Sequence, residues 1–466
     1  MPISFASAVF SYPSDNLIMP QFFSREDSKA ITDKVLSFST ADEARVNLQS
    51  GSEGNTRFAV NQISTSGDVV NASVVVTSAF GKQVASATTN RFDDASLRQV
   101  VETSERLARL VPEDPEYLGE LGPHEYAVTH GFFDSTANLI PAARARAVVE
   151  ITTPAAARDL LSTGFLTHQA GAQAVATKRG LFAYTAGTAA NLTTTVRTPD
   201  GTGSGWAGVG QNDWSKIQPA ELAERAIRKA ELSRGAKAVE PGKWTVVLEP
   251  TAVANIVTLL AFSMNARQAD EGRSFFSKEG GGNKIGEKIV DSRISIRSDP
   301  TDPILNSDPF TDEGLPNRPM VWIENGVVKN LFYNRFWAQK NNLNPTGFPS
   351  GIHMSGGNAS VDEMVASTER GLLVTRLWYI RSVDPRTILF TGLTRDGTFL
   401  IENGRITGAV KNLRWNESPI FLLNNLEMLG QPTRVSASES GEVSSSVVVP
   451  AIKARDFTFT SISDAI

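Results

Sequence analysis

The sequence lacks cysteine altogether and has only four histidines among its 466 residues. Without thiols the chain can form no disulfide and can offer no thiolate to a metal, which suits a reducing compartment. The first twenty residues hold neither a basic segment nor an unbroken apolar core, so they make a poor secretory signal. The longest apolar stretch, around Val253–Phe262, is shorter than the roughly 20 residues that cross a bilayer. We therefore expect a cytoplasmic protein with no membrane-spanning segment.

An excess of positive charge is also missing. Lysine and arginine total 45 against 50 aspartates and glutamates, which gives a formal net charge of −5 with no basic stripe. This balance argues against a broad nucleic-acid-binding surface. Hydrophobic residues make up 41% of the chain and charged residues 20%, as in ordinary soluble proteins, and the length exceeds the usual range of a single core. We expect two domains and no nucleic-acid partner.

Complete catalytic motifs are missing as well. The segment His124–His130, HEYAVTH, places its histidines six residues apart, about 240° around a helix, so their rings would point apart. We interpret it as a loop. The segment Glu279–Gly286 lacks the spacing of a phosphate-binding P-loop, and no G-x-S-x-G nucleophile elbow occurs. His168 and His353 have no partner at ligand spacing and are interpreted as ordinary, partly buried histidines.

Helical and strand periodicities alternate through the first half of the chain. The pattern predicts four helices, of which the third should break at Thr153-Pro154: Ser24–Phe38, Asp94–Leu110, Pro141–Leu161 and Gln218–Arg234. Alternating runs between them predict strands, with a turn at Gly51–Gly54 and a meander over Phe165–Lys178 and Leu181–Arg197. We place a domain boundary at Gly235–Gly242.

Strands and turns dominate beyond that boundary. The segments Val321–Val328 and Phe399–Ile406 each contain Glu-Asn-Gly, and Asn-Gly favours a type I′ hairpin because both central residues need positive φ. The Ser/Glu-rich stretch Gln431–Ser446 is expected to be a mobile loop. The order of elements predicts an α+β fold, with an N-terminal α/β domain over residues 1–235 and a mainly antiparallel β domain over residues 241–466.

The stretch Lys243–Ile289 joins a predicted strand to a predicted helix. Trp244–Leu248 is a short, β-branched apolar run, and Glu249-Pro250 ends it. Thr251 is the expected N-cap of a helix through about Met264. Its apolar side chains occupy more than one helical face, so we expect most of this helix to be buried.

A series of segments in the same order and spacing resembles the TldD/PmbA (PmbA/TldE) family over roughly the whole chain. These segments are Gly203–Gly208, Pro241–Pro250, Glu271–Phe275, Lys284–Lys288, Gly314–Pro319, Ile323–Gly326, Glu369–Leu372 and Ile401–Gly404. The resemblance implies an N-terminal α/β domain and a C-terminal, mainly antiparallel β domain of barrel-like character. It also implies a heterodimer that encloses a cavity, into which small or unfolded peptides enter as extended strands.

In the TldD branch, the helix after the strand that corresponds to Trp244–Leu248 carries an HExxxH motif, and a cysteine near the C-terminus completes the metal site. Here the corresponding residues, Val253–Asn265, include no His, Asp or Glu, and the chain has no cysteine. Alkyl groups cannot bind zinc. The sequence therefore resembles the PmbA/TldE branch, with no catalytic or metal-binding residues of its own and a zinc-type metal expected in the partner.

Three hypotheses about function stay open at this point. The first is a metal-free subunit of a TldD/PmbA-type metallopeptidase complex, which shapes the substrate chamber beside a TldD-like subunit. The second is a peptide-binding homodimer without hydrolysis. The third is an independent metallopeptidase with a carboxylate-based site, for which Asp270, Glu271 and Glu279 are the best candidates. A charged, glycine-rich segment is also typical of a solvated loop.

Arginines in the family-like blocks are candidates for peptide binding, because guanidinium groups can hold a carboxylate or carbonyl oxygens. The alternative is that they form ion pairs between domains or at the surface. The candidates are Arg267, Arg273, Arg318 and Arg376, with Arg381 nearby.

Overall fold

The computed structural model describes residues 22–437 and 445–463, and this part of the chain contains both helices and strands. The α-helices are α1 Arg25–Ser37, α2 Asp94–Ala108, α3 Asp134–Ala137, α4 Pro141–Ala156, α5 Pro219–Leu232, α6 Pro250–Ser263, α7 Ala266–Asp270, α8 Arg335–Lys340, α9 Val361–Ala366 and α10 Pro419–Asn424. None of these helices is long and apolar enough to cross a membrane.

The strands fall into three sheets. Their bounds are β1 Glu43–Ala59, β2 Gln62–Phe80, β3 Gln83–Thr89, β4 Leu161–Thr177, β5 Phe182–Arg197, β6 Ser204–Gln211, β7 Gly242–Leu248, β8 Ile296–Ser298, β9 Met320–Glu324, β10 Val327–Val328, β11 Ile352–Met354, β12 Arg370–Val374, β13 Leu377–Asp384, β14 Leu389–Thr394, β15 Thr398–Glu402, β16 Arg405–Ala409, β17 Leu413–Glu417, β18 Leu426–Leu429, β19 Thr433–Ala437, β20 Ser445–Val449 and β21 Ile452–Ile462.

The first sheet is antiparallel, in the order β3-β2-β1-β4-β5-β6. Burial alternates along β1, so one face of the sheet packs on helices α1, α2, α4 and α5. The predicted meander is confirmed as β4 and β5. The predicted turn at Gly51–Gly54 is wrong, because β1 runs through it. A Cβ on Gly51 would lie 2.8 Å from the Ala170 carbonyl oxygen, so glycine lets two strand backbones come close here.

Proline does not break the third helix where the sequence predicted. Helix α4 continues through Pro154 to Ala156. Pro154 stands in the last turn, where its missing N–H removes one bond and little helix remains to be disrupted. Helix α5 follows the prediction closely and begins at Pro219, whose absent N–H needs no partner at that position.

The second half of the chain forms two further sheets. One has the order β10-β9-β8-β11-β20-β19, and the larger has the order β13-β14-β17-β21-β7-β12-β15-β16, with β18 paired to β21. Pairing is antiparallel except for β12 with β7 and β11 with β20. The larger sheet curls into a half-barrel, so the predicted α+β fold, with a mainly antiparallel β region after residue 241, is confirmed.

Strands β19 and β20 correct one loop assignment. The Ser/Glu-rich stretch predicted as a mobile loop contributes β19 and the start of β20, which pair with each other in the second sheet. The remainder of that stretch, residues 438–444, lies outside the described residues. Sequence composition favoured a loop here because serine is a frequent turn residue.

Both predicted Asn-Gly hairpins are present. Asn325 and Gly326 have φ values of 49° and 80°, and Asn403 and Gly404 have values of 47° and 76°. Positive φ at both central residues is the requirement of a type I′ turn, and the flanking strands β9-β10 and β15-β16 pair directly. The turn chemistry thus fixes the register of both hairpins.

Replacing Gly326 by alanine should lower the free energy of unfolding by about 2 kcal/mol or more. The new Cβ would lie 2.3 Å from the Val290 carbonyl oxygen, in addition to the cost of positive φ. Urea unfolding of Gly326→Ala beside Asn325→Gly measures the effect. The second variant keeps a turn residue that tolerates the same φ, so it should change stability little. Equal stability of all three proteins would contradict this account of the turn.

Candidate functional site

Helix α6 occupies the position at which the resemblance places a metal-binding helix. The strand before it and the helix itself were predicted, but the N-cap is Glu249 rather than Thr251, because Pro250 takes the first helical position. Most of the helix is buried in the largest core, as predicted, although Phe262 is 54% exposed. Its buried polar side chain, Asn255, donates to the Leu377 carbonyl oxygen at 3.3 Å.

The residues around α6 do not fit a catalytic zinc ion. Zinc needs imidazole, thiolate or carboxylate ligands in a convergent array, and α6 supplies none of these. Across residues 22–437 and 445–463, no three His, Asp or Glu side chains converge as metal ligands would.

Two of the carboxylates considered for an alternative metal site already accept hydrogen bonds from other side chains, and the third is exposed in a loop. Asp270 accepts hydrogen bonds from Trp337 Nε1 and Asn283 Nδ2, both at 2.7 Å. Glu271 accepts bonds from two arginines, Arg273 and Arg267, which lower its pKa. Glu279 lies exposed in the glycine-rich loop. These contacts use the oxygens that a metal would need.

The four histidines occupy separate environments. His124 and His130 are exposed in an irregular segment, in agreement with the loop interpretation. His353 Nδ1 lies 3.2 Å from Asp302 Oδ2. His168 is buried, with Nε2 2.9 Å from Arg144 Nη1 and Nδ1 3.1 Å from the Thr136 carbonyl oxygen. Arginine only donates and a carbonyl only accepts, so His168 is neutral with its proton on Nδ1.

The candidate peptide-binding arginines do not share one environment. Arg267 pairs with Glu116 and Glu271, at 2.8 and 3.0 Å, and Arg273 also bonds Glu271. Arg318 is exposed. Arg376 is treated below, and peptide binding by all four stays a prediction.

Arg376 takes part in the contact between the two halves of the chain. It is 2% exposed, and its Nη1 lies 2.7 Å from Asp396 Oδ2. Its guanidinium carbon lies 4.6 Å from the ring centre of Trp206 on β6. Ser204, also on β6, donates to Asp396 Oδ1 at 2.6 Å. A buried cation, a carboxylate and an indole thus join β6 to the β12–β13 and β14–β15 connections.

A cleft of about 590 Å³ lies over the face of the first sheet that the helices leave uncovered. Strands β1, β2, β4 and β5 form its floor, and the segments 129–131 and 306–308 contribute to its wall. Gly51, Gly171 and Gly187 face one another in register across three strands, so the middle of the floor carries no side chains. The result is a furrow in a sheet face that is otherwise polar.

Amides and carboxylates line this cleft. Gln49, Gln169 and Gln173 bring side-chain amides to its floor. Glu53 and Asp308 are its charged members among the described residues, and neither pairs with a cation there. Partial burial raises the pKa of Asp308, and repulsion from Asp312 adds a smaller contribution in the same direction. More than a third of the surface of Asp308 stays exposed to water. The cleft therefore carries negative potential.

Sequence reasoning missed this cleft. Residues 45–49 alternate polar and apolar side chains with a period of two, which is a signal for one face of a strand, but the small residues at 50–52 interrupt that pattern. Interpreting Gly51–Gly54 as a turn removed that strand and, with it, Glu53. Asp308 comes from a distant loop, and its place over the sheet depends on tertiary contacts that no local pattern encodes.

Comparison with known proteins identifies the family. A model described as the PmbA/TldA metallopeptidase C-terminal domain matches residues 241–461, and one for the central domain of the same family matches residues 138–234. Together these matches span more than half of the sequence. The chain belongs to the TldD/PmbA family.

Individual relatives are distant. A metalloprotease of Methanothermobacter thermautotrophicus is 26% identical over 247 residues, 49% of this chain and 52% of the relative. A PmbA homologue of Buchnera aphidicola is 23% identical over 215 residues, 45% of this chain and 46% of the relative. The chain thus spans about half the length of the curated relatives it matches. TldE from Thermococcus kodakarensis has a similar fold, with a TM-score of 0.81 and 18% identity over 93% of this chain and 99% of that chain.

Proposed function

We propose that this chain is the metal-free subunit of a TldD/PmbA-type metallopeptidase complex that acts on small or unfolded peptides in the cytoplasm. The observation that carries the proposal is helix α6, which fills the place of a metal-binding helix with buried apolar side chains and one amide. In this scheme a TldD-like subunit supplies the zinc-type metal and the hydrolytic chemistry. This chain shapes the chamber, binds peptide and holds it in an extended conformation.

A peptide-binding homodimer without hydrolysis is the second candidate. The observation in its favour is the cleft over the first sheet, to which both the first sheet and the segment 306–308 contribute lining residues. An independent metallopeptidase is the weaker third reading, because Asp270 and Glu271 already accept bonds from other side chains.

Metal analysis and peptidase assays separate these functions. We expect the chain purified alone to retain no stoichiometric zinc and to leave a mixture of unfolded peptides intact. Co-expression with a TldD-like protein should yield a stable complex that cleaves the mixture. A partner whose two motif histidines are changed to alanine is the control, and it should assemble without activity.

Two results would overturn the proposal. One is stoichiometric metal in the chain alone, accompanied by peptidase activity that survives further purification. If Asp270→Asn then removed that metal, the carboxylate site would be identified. The other is failure of a TldD-like partner from the same genome to associate with this chain, which would favour the homodimer.

A further inference from the structure

The cleft over the first sheet has the features of a site for extended polypeptide. Its volume, about 590 Å³, falls in the range of ligand pockets, and it lies between the sheet and a loop from the second half of the chain. The glycine row gives a main chain room to approach the sheet face closely. A floor whose middle row carries no side chains favours a narrow, extended occupant over a compact one.

Side-chain amides provide the means to hold a main chain without regard to sequence. Each amide of Gln49, Gln169 and Gln173 offers a donor and an acceptor, which are the groups that a peptide unit needs. Within the described part of the chain these three amides make no hydrogen bond. They are therefore available to an occupant.

The charge of the cleft defines one further property of the occupant. Glu53 and Asp308 both lack a cationic partner among the described residues, and no lysine or arginine stands among the described lining residues. Two unpaired carboxylates at one concave site attract a cation and repel an anion. A protonated amine or a guanidinium beside them would relieve the repulsion that Asp308 already experiences from Asp312.

We propose that this cleft binds an extended polypeptide segment through its main chain, with a positively charged group of that segment beside Glu53 and Asp308. The charged group is an α-ammonium terminus or a lysine or arginine side chain. The proposal deepens the peptide-binding role of the proposed function, but it does not depend on whether the chain lacks a metal or has a TldD-like partner.

Labelled peptides test the ligand chemistry on the full chain. Four synthetic Ala/Val hexapeptides carry an uncharged fluorophore on a C-terminal amide, a central lysine or norleucine, and a free or acetylated N-terminus. Fluorescence anisotropy gives their dissociation constants at low and high salt. We expect the acetylated norleucine peptide to bind most weakly, and added salt to weaken only the charged peptides. Loss of binding on acetylation alone identifies the α-ammonium as the anchor, and loss with norleucine alone identifies the side chain.

Variants of the cleft test its location. Glu53→Gln and Asp308→Asn should each weaken binding of the charged peptides about threefold to fivefold and leave the uncharged peptide unchanged, because exposed charge pairs contribute modestly. Glu102→Gln removes an exposed carboxylate from α2, against the opposite face of the sheet, and should have no effect. Urea unfolding of each variant confirms that it folds.

A steric variant tests the furrow independently of charge. Gly187→Val places its Cβ 3.9 Å from the Gly131 carbonyl oxygen, an ordinary contact, so the strand need not distort. Because both residues line the cleft, the side chain narrows it and should weaken all four peptides at least tenfold. Gly67→Val on β2, which meets no atom within 4 Å, is the matched control.

Two outcomes overturn the proposal. The first is that no probe binds the wild-type chain. The second is that all four bind equally and Gly187→Val changes none of them, which would place peptide binding elsewhere. Neither outcome bears on metal content or on assembly with a partner, so a failure here leaves the proposed function standing.

Discussion

Replacing Arg144 by methionine should lower the free energy of unfolding by about 3–5 kcal/mol. Arg144 is 0% exposed, and its guanidinium bonds Asp68 at 2.7 Å, Thr56 Oγ1 at 3.2 Å and His168 Nε2 at 2.9 Å. Methionine fills much of the space but donates nothing. The substitution leaves Thr56 Oγ1 and His168 Nε2 buried without this donor. Asp68 also loses its partner, but it is half-exposed and water can reach it.

Arg158→Met is the matched control for this substitution. Arg158 pairs with Glu224 at 3.0 Å, but both side chains are about half-exposed and water screens the pair, so its loss should lower the free energy of unfolding far less than the loss of Arg144. Urea unfolding followed by circular dichroism measures both variants. If Arg144→Met proved as stable as Arg158→Met, the buried network would not hold the first sheet on α4.

The second large effect concerns pH and the buried carboxyl group of Glu417. This side chain is 3% exposed, and burial raises its pKa to about 7, while the charge of Asp456 acts in the same direction. Hydrogen bonds from the backbone N–H groups of Ser418 and Thr458, at 2.8 and 3.1 Å, and the charge of Lys243 oppose the rise. The folded protein therefore holds a proton that the unfolded chain releases near pH 4.5.

The sign of the effect follows from that difference. Stability from protonated Glu417 is fully present below pH 4.5 and is lost as pH rises towards 7, by about 3 kcal/mol in all. Unfolding free energies from pH 4.5 to 8 should show this fall in the wild type, and Glu417→Gln should lack that component. Glu402→Gln, which removes an exposed carboxylate from β15, should keep the wild-type profile. A wild-type profile in Glu417→Gln would rule out this residue as the source.

Local chemistry explains what the sequence predicted well. Asn-Gly at 325–326 and 403–404 requires positive φ whatever surrounds it, so both hairpins could be placed in advance. Pro219 predicted the start of α5, and apolar side chains on more than one face of α6 predicted that most of this helix is buried. In each case one or two residues constrain the backbone strongly enough to override context.

Long-range packing explains what the sequence could not predict. Gly51 is typical of a turn when considered alone, yet here it lets two strands approach each other in the middle of a 17-residue strand. Pro154 is tolerated because α4 ends two residues later. The candidate cleft depends on Glu53 and Asp308, which are far apart in sequence. None of these facts has a signature within a local window.

The contact of Ser204 and Trp206 with Asp396 and Arg376 limits how the molecule can move. A hinge opening between β6 and the β12–β13 and β14–β15 connections would break the hydrogen bond from Ser204 to Asp396 and separate the Arg376 guanidinium from the Trp206 indole. The loss of this hydrogen bond and of this cation–π contact, together with exposure of the Trp206 indole to water, makes a wide separation costly. A polypeptide that binds in the cleft should thus enter it without a wide separation of the two halves of the chain.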